Sequence, residues 1–266
     1  MYNFEYARAS SVEDAVKKVT EASDGKLLAG GMTLLPTLKQ RLAQPSDLID
    51  LGKIADLKGI SVSGKTLTIK AMTRHFDVAT SADVRKHIPA LAVLAGGIGD
   101  PSVRHRGTIG GSTANSDPAA DYPGGIMGLG ATIETNKRKI AADDYFLGLF
   151  ETALEPGEII TAVHFPIPDK AGYIKFAHLA SGYATVGVMV SKTGDAVRVG
   201  VTGAGPCAFR VPEMEAALAK SFTPDAVANI KVSPDELLSD IHSSAEYRAH
   251  LVTVMAKRAV ALANSY

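Results

Sequence analysis

Two glycine-rich turns carry the residue types best suited to holding a charged ligand. The first, 29–33 (AGGMT), leads from a short apolar run into a helical pattern, and the second, 108–112 (TIGGS), places a hydroxyl on each side of two glycines. Glycine permits close approach of the backbone to a ligand, and free backbone N–H groups at the start of a helix attract anions. The two turns together predict a site that binds one dinucleotide, with the first turn at its pyrophosphate.

Three residues sharpen this hypothesis. At Gly31 and Gly110 we expect the backbone to approach the ligand most closely, so that a β-branched replacement blocks binding. Asp121 is a candidate acceptor for a ribose hydroxyl. Alternatives stay open, because Asp121 also fits a helix cap and each turn taken alone also fits a purely structural role.

A third glycine segment matches a phosphate-loop motif in its letters only. Residues 59–66 (GISVSGKT) satisfy the pattern G-x-x-x-x-G-K-[ST]. That motif binds phosphate where it joins a strand to a helix, because the helix start supplies the backbone donors. Here residues 67–70 (LTIK) alternate like a strand, so the segment predicts a β-hairpin rather than a nucleotide-triphosphate site.

Composition excludes several other functions. The 28 basic and 28 acidic residues balance, which argues against a nucleic-acid partner, and no apolar run is long enough to span a membrane. We expect a cytoplasmic protein, because the first residues do not form a secretory signal. The single cysteine, Cys207, cannot form an internal disulfide or hold an iron–sulfur cluster alone. The nicotinamide, hydrolase and zinc-protease motifs are missing, and we predict neither a metal site nor an acid–base catalyst on this chain.

The first turn needs a helix–strand unit to position it. Apolar spacing predicts a helix from Val12 that is capped by Ser10 or Ser11 and ended by Gly25. A second helix is expected over 33–41 with four leucines facing inward, and strands are expected on either side of it. The inward leucines are Leu34, Leu35, Leu38 and Leu42, and the strands are 26–29 and 47–51.

The remaining elements predict two further units. In the second unit we expect a hairpin over 60–70, helices over 74–80 and 88–96, a hairpin around Asn136, a helix over 143–149 and a strand over 159–165. Pro166, Pro168 and Gly172 mark a junction. An antiparallel sheet with strands 183–190 and 196–202 and a helix over 251–262 follow. We therefore expect three domains, namely 1–55, 56–170 and 171–266.

Several segments resemble the medium, FAD-carrying subunit of aerobic carbon monoxide dehydrogenases and related molybdenum hydroxylases, the xanthine dehydrogenase/oxidase family. The resemblance covers essentially the whole chain and implies an α+β fold. That fold is a p-cresol methylhydroxylase-type FAD-binding domain of two subdomains, followed by a small α+β domain with an antiparallel sheet and helices. The segments are 29–36 (AGGMTLLP), 48–51 (LIDL), 99–112 (GDPSVRHRGTIGGS), 114–121 (ANSDPAAD), 157–160 (GEII) and 200–206 (GVTGAGP).

The same resemblance implies which residues contact FAD. Asp121 matches an FAD-binding aspartate, Ile98 and Ile160 (or its neighbour Ile159) match apolar flavin contacts, and Tyr183 matches a tyrosine near the flavin ring. Tyr183 also fits an aromatic in a strand core. The implied contacts are Leu28, Ala29, Gly30, Gly31, Met32, Thr33, Leu34, Leu35, Ile98, Thr108, Ile109, Gly110, Gly111, Ser112, Asp121, Ile160, Lys175 and Tyr183.

The function that the resemblance implies is electron transfer within a larger oxidoreductase. A large subunit would carry the molybdenum cofactor and a small subunit two 2Fe-2S clusters, arranged as a dimer of heterotrimers, and this chain would pass electrons from the clusters through FAD to an external acceptor. The cysteine count agrees with this division. The alternatives are a self-contained FAD-dependent oxidase or reductase of the same fold, and a nucleotide-binding module that uses residues 59–66.

Overall fold

The computed structural model describes residues 1–266, which form three main sheets with helices packed against them. Short 3-10 turns occur at Ala55–Leu57 and Ala142–Asp144. In chain order the elements are β1 (Glu5–Arg8), α1 (Val12–Glu21), β2 (Gly25–Leu28), α2 (Leu34–Lys39), β3 (Asp47–Asp50), β4 (Ile60–Ser63), β5 (Thr66–Lys70), α3 (His75–Thr80), α4 (Ala82–His87), α5 (Pro89–Gly96), α6 (Pro101–Arg106), α7 (Ile109–Asn115), α8 (Asp121–Leu129), β6 (Thr132–Thr135), β7 (Lys139–Ala141), β8 (Phe146–Gly148), β9 (Glu151–Thr152), β10 (Ile160–Pro166), β11 (Lys170–Ala177), β12 (Ala184–Thr193), β13 (Ala196–Thr202), β14 (Phe209–Arg210), α9 (Pro212–Lys220), α10 (Pro224–Val227) and α11 (Ala245–Ala263).

The N-terminal sheet is parallel, in the order β1-β3-β2, with α1 and α2 as its connections. Ser11 caps α1 by accepting a hydrogen bond from the Asp14 backbone N–H, as the sequence predicts. Two details of the prediction are wrong. Gly25 begins β2 instead of ending α1, and Leu42 is 73% exposed because α2 ends at Lys39 and the chain turns at Arg41, where φ is +60°.

The second sheet is antiparallel, in the order β4-β5-β10-β6-β7. The segment 59–66 forms the predicted hairpin: β4 and β5 pair directly across it, and no helix follows. The helix expected over 143–149 is wrong. Tyr145 and Phe146 are buried as the chain enters the small β8–β9 hairpin, whose turn places Phe150 at a φ of +55° and so rules out helical continuation.

The third sheet is antiparallel, in the order β11-β12-β13-β14, and α11 lies against β11 and β12. Valines from β12 and β13 pack on Met255, Ala259 and other residues of α11 to form a separate apolar core. A Cβ at Gly172 would stand 2.1 Å from the Ala259 carbonyl oxygen, so the helix approaches the sheet at a glycine.

Helix α8 joins the second and third parts of the fold. All of its residues are buried, and it packs against β12 and β13 as well as α5 and α7. Gly128 permits this contact, because a Cβ there would lie 2.6 Å from the Met189 carbonyl oxygen. The α+β class expected from the sequence is confirmed, while the division at residues 55 and 170 stays a prediction. No helix of this fold combines the length and the apolar character that a membrane crossing would need.

Candidate functional site

A cavity of about 660 Å³ opens where the two glycine-rich turns meet. It is lined by both turns, by the segment 98–100, by α7, and by the loop 180–183 that precedes β12. The volume lies within the range of cofactor and ligand sites, about 300–1,000 Å³. The structure therefore brings the two turns to one cavity, together with segments of all three parts of the chain.

The first turn presents a run of free backbone donors. None of the five consecutive N–H groups from Ala29 to Thr33 donates a hydrogen bond within the chain. The positive φ of Gly31, +75°, turns the chain here, and Gly30 lies so close to the next segment that a Cβ would stand 2.2 Å from the Arg106 carbonyl oxygen. A concave run of unpaired N–H groups attracts an anion, so this turn fits the pyrophosphate of a dinucleotide.

The second turn does not offer the free backbone donors that we expected from the sequence. It is the first turn of α7, capped by Thr108, and its N–H groups are already used within the chain: Ile109 and Gly110 donate to the carbonyls of Thr73 and Ala71, at 3.1 and 2.8 Å. A Cβ at Gly110 would lie 2.6 Å from the Ala71 Cβ. Gly110 therefore serves contact between two protein segments rather than contact with the ligand.

The backbone N–H groups of Gly111 and Ser112 also donate hydrogen bonds within the second turn. The Gly111 N–H donates to Thr108 Oγ1 at 3.2 Å, and the Ser112 N–H donates to the Thr108 carbonyl at 3.0 Å. Gly111 nevertheless faces the first turn, since a Cβ on it would lie 3.5 Å from the Ala29 Cβ. The second turn thus supplies cavity wall and the Ser112 hydroxyl rather than a second set of backbone donors.

Asp121 sits at the base of the cavity in a network of opposite charge. Tyr173 donates its hydroxyl to one carboxylate oxygen at 2.6 Å, and the Lys175 ammonium lies 3.0 and 3.1 Å from the two oxygens. Lys175 also donates to the carbonyls of Gly97 and Gly182, both at 2.8 Å. Burial raises the pKa of the Asp121 carboxyl, and the ammonium and the hydroxyl oppose that rise. The helix-cap alternative is not observed, because Ala120 precedes α8.

Ile98, Ile160 and Tyr183 make part of the cavity lining apolar and aromatic. The flavin contacts that the resemblance implies for them stay a prediction. Tyr183 is 45% exposed, so it is not the strand-core aromatic that the sequence left open. Burial raises the pKa of its hydroxyl, and the nearby carboxylates of Asp117 and Asp121 add to the effect. Apolar and aromatic side chains of this kind suit a flat ring system.

All but four of the residues implied by the resemblance line this cavity. Leu28 ends β2, Leu35 packs beneath Gly31, Ile109 is fully buried, and Lys175 faces Asp121 instead. Whether the lining residues contact FAD stays a prediction.

The sequence analysis missed other lining residues, because no motif pattern singled out their side chains. Asp100, Asn115, Asp117 and Glu158 lie inside segments that carry the resemblance, so these four could have been found. The missed polar residues are Lys26, His75, Asp100, Asn115, Asp117, Glu158 and Ser181.

His75 is the missed residue with the most unusual surroundings. It begins α3, is only 5% exposed, and its Nδ1 has no hydrogen-bond partner. Burial, together with the positive charge of Arg104, lowers the pKa of the imidazole to about 4. The ring is therefore neutral near pH 7, and it lines the cavity with its hydrogen-bonding capacity partly unused.

The other motif candidates lie outside this cavity. Lys65 of the phosphate-loop match lies in the β4–β5 turn and lines a separate cavity of about 320 Å³. No group of three or more His, Cys, Asp or Glu side chains has an arrangement that could hold a metal ion.

Comparison with known proteins gives consistent matches along the whole chain. Residues 2–168 match the family described as the FAD binding domain in molybdopterin dehydrogenase. The nicotine 6-hydroxylase medium subunit of Paenarthrobacter nicotinovorans is 37% identical, over 96% of this chain and 95% of that protein. The carbon monoxide dehydrogenase medium chain of Hydrogenophaga pseudoflava is 36% identical, over 97% of this chain and 96% of that protein.

Solved structures agree with these relatives. Reconstituted CO dehydrogenase from Oligotropha carboxidovorans superimposes with a TM-score of 0.89 at 33% identity, covering 99% of this chain and 98% of that one. Quinoline 2-oxidoreductase from Pseudomonas putida 86 superimposes with a TM-score of 0.88 at 29% identity, with the same coverage.

Proposed function

This chain belongs to the family of FAD-binding domains of molybdopterin dehydrogenases, and from that membership we propose that it relays electrons within a molybdenum hydroxylase. As a member it is the FAD-binding oxidoreductase subunit of a molybdenum hydroxylase. In the proposed role it receives electrons from an iron–sulfur subunit and delivers them to an external acceptor. Bound FAD would supply the chemistry, since a flavin exchanges electrons singly or in pairs.

The observation that carries the proposal is the run of five free N–H groups from Ala29 to Thr33 beside a cavity of cofactor size. These donors would bind the FAD pyrophosphate. Ile98, Ile160 and Tyr183 would hold the flavin ring at the other end. Asp121, oriented by Tyr173 and Lys175, would accept a hydrogen bond from a hydroxyl of the cofactor. In this arrangement the protein binds and orients the cofactor.

The range of relatives supports a relay rather than substrate chemistry on this chain. Similar proteins of nearly equal length are named as parts of enzymes for nicotine, carbon monoxide, glyceraldehyde, caffeine and xanthine. A subunit shared by such different substrates fits a step that all of these reactions have in common. We place the substrate and its molybdenum cofactor on a large partner subunit.

The proposed partners are those that the family resemblance implies. We assign two 2Fe-2S clusters to a small partner subunit, in a dimer of heterotrimers. The single cysteine of this chain, Cys207, agrees with that division. Copurification with a molybdenum-containing large chain and an iron–sulfur small chain is the expected result. Full substrate turnover by the isolated chain would contradict the proposal.

A pair of glycine variants tests the cofactor site. Gly31→Ala places a Cβ at a φ of +75°, 2.9 Å from a Leu35 methyl, so the turn that carries the free N–H groups must change shape. We expect FAD to bind at least about tenfold more weakly, measured by flavin fluorescence on the FAD-free chain.

The matched control is Gly64→Ala in the β4–β5 turn. This glycine also has a positive φ, +55°, but nothing lies within 4 Å of its Cβ position and it is outside the cavity. The control should bind FAD like the unaltered chain. Equal affinity in both variants, or a chain that takes up no FAD at all, would contradict the proposed site.

A further inference from the structure

His75 lies directly beside the segment on which the first turn rests. A Cβ at Gly30 would be 2.8 Å from the Gly107 Cα, and a Cβ at Gly107 would be 2.5 Å from the His75 Nε2. The backbone N–H of His75 also donates to the Gly107 carbonyl at 3.0 Å. Gly107 thus lies between the imidazole and the first turn with its free N–H groups.

The surroundings of the ring explain why it is neutral. Arg104, from α6, is the charged side chain whose field acts on it. Tyr122, from α8, faces the ring at 5.3 Å between centroids, and burial keeps that phenol protonated. Helix α5, packed against α3, has no ionisable side chain, and those of α4 do not shift the pKa of His75. Burial and a neighbouring cation both disfavour the protonated imidazole, whereas an anion bound nearby favours it.

We propose that the His75 imidazole takes up a proton from solvent when FAD binds, and that its positive charge, lying behind Gly107, attracts the cofactor's pyrophosphate and makes FAD affinity dependent on pH. The inference rests on the proposed function, because it assumes that the cavity holds FAD with its pyrophosphate at the first turn. Two negative charges placed beside the ring offset both the cost of burial and the repulsion from Arg104.

The direction of the pH effect follows from linkage. Without FAD the ring titrates with a pKa of about 4, and the anionic ligand raises that pKa. Between the two pKa values each bound FAD brings one proton with it, so affinity increases by up to about tenfold for each unit by which the pH falls. Above the raised pKa the ring is neutral in both states and the affinity is constant.

Calorimetry on the unaltered, FAD-free chain tests the proposal without any substitution. FAD binding is measured at about pH 5.5 and about pH 8, at each pH in two buffers with different heats of ionisation. FAD itself does not change its charge in this interval. We expect net proton uptake and tighter binding at the lower pH. Binding without proton uptake and with the same affinity at both values overturns the inference but leaves the proposed function intact.

Two variants assign the proton to its site. His75→Gln keeps a polar side chain that cannot be protonated, and it should bind FAD with no proton uptake and no pH dependence. The control is His105→Gln. His105 is on neighbouring α6, outside the cavity, where it stacks on Phe76 and hydrogen-bonds to the Pro101 carbonyl. This control should keep both effects. The reverse pattern overturns the inference. If the unaltered chain binds no FAD at both pH values, the proposed function is overturned as well.

Discussion

At the scale of single residues, Glu158 is a buried carboxylate whose two oxygens are both occupied. Arg138 donates to it through two nitrogens at 3.0 and 3.1 Å, Thr135 through its hydroxyl at 2.7 Å, and Glu155 through its backbone N–H at 2.9 Å. These donors, Arg138 above all, lower the pKa of Glu158 to about 2. The carboxylate fixes the segment that leads into β10 and the cavity wall at Ile159 and Ile160.

The lowered pKa predicts an acid-sensitive contribution to stability. Because the folded pKa of Glu158 is about 2 and its ordinary value is 4.5, the contribution is complete above about pH 4.5 and is lost as the pH falls toward 2. The shift corresponds to about 3 kcal/mol.

Urea unfolding of the chain and of Glu158→Gln at a series of acidic pH values checks this contribution. The free energy of unfolding of the unaltered chain should fall more steeply than that of the variant. Parallel curves would mean that this carboxylate does not contribute.

The sequence predicts the residues of the first turn well and those around His75 poorly. The turn is local: its glycines, the strand before it and the helix after it are consecutive, so one segment contains all the information. His75 gains its role from Gly107 and Tyr122, which are distant in the chain. No local pattern in the sequence encodes these contacts between distant residues.

At the scale of elements, the start of α7 is held by strand-like pairing with the segment 71–75. The N–H groups of Ile109 and Gly110 donate to that segment, and His75 donates back to Gly107. The glycine pair in the second turn therefore has two different tasks. Gly110 lets α7 pack on the end of β5, whereas Gly111 lies directly against the first turn at Ala29.

Alanine replacements separate these two tasks. Gly110→Ala places a methyl group 2.6 Å from the Ala71 Cβ and 2.8 Å from its carbonyl oxygen, so backbone must move. We expect a loss of about 1–3 kcal/mol in the free energy of unfolding of the FAD-free chain. Gly111→Ala meets only the Thr108 hydroxyl at 3.0 Å and ordinary contact with Ala29, so its loss should be smaller. A greater loss in Gly111→Ala, measured by urea unfolding, would contradict this assignment.

The predictions of helices and strands are correct where the sequence pattern is periodic. They are wrong where pairing with a partner strand determines the backbone conformation. The 60–70 hairpin and the C-terminal helix follow their alternating and helical patterns. Strands β1 and β11 were missed, since β1 is paired to β3 and β11 to β12 by contacts that no local pattern encodes. The small β8–β9 hairpin was predicted to be a helix for the same reason: its local residues do not determine its backbone.

At the scale of the whole molecule, α8 couples the cavity to the third sheet. Its first residue, Asp121, is held by Tyr173 and Lys175 of β11, while Gly124 and Gly128 lie against β13 and β12. The cavity base is therefore built by a helix whose position depends on a sheet beyond the matched FAD-binding segment 2–168. We expect the two regions to gain or lose order together.

Gly128→Ala tests this coupling. Its methyl group would lie 2.6 Å from the Met189 carbonyl oxygen, so α8 must move away from β12. Hydrogen exchange followed by mass spectrometry should show reduced protection in β12 and β13 and also in α5 and α7, together with weaker FAD binding. The control is Gly96→Ala at the end of α5, where the nearest atom is the Ala79 Cβ at 3.8 Å and protection should be unchanged. Loss confined to β12 and β13 would contradict the coupling.

The burial of α8 also orders events during synthesis of the chain. A chain emerges from the ribosome N-terminal end first. Helix α8 is complete at Leu129, but the strands that cover it are complete only at Thr202. For that interval α8 has only the elements that precede it, α5 and α7, to pack against, and its contacts with β12 and β13 are not yet made. The partners of Asp121, Tyr173 and Lys175, belong to β11, so the ion pair at the start of this helix forms only after β11 has been synthesised.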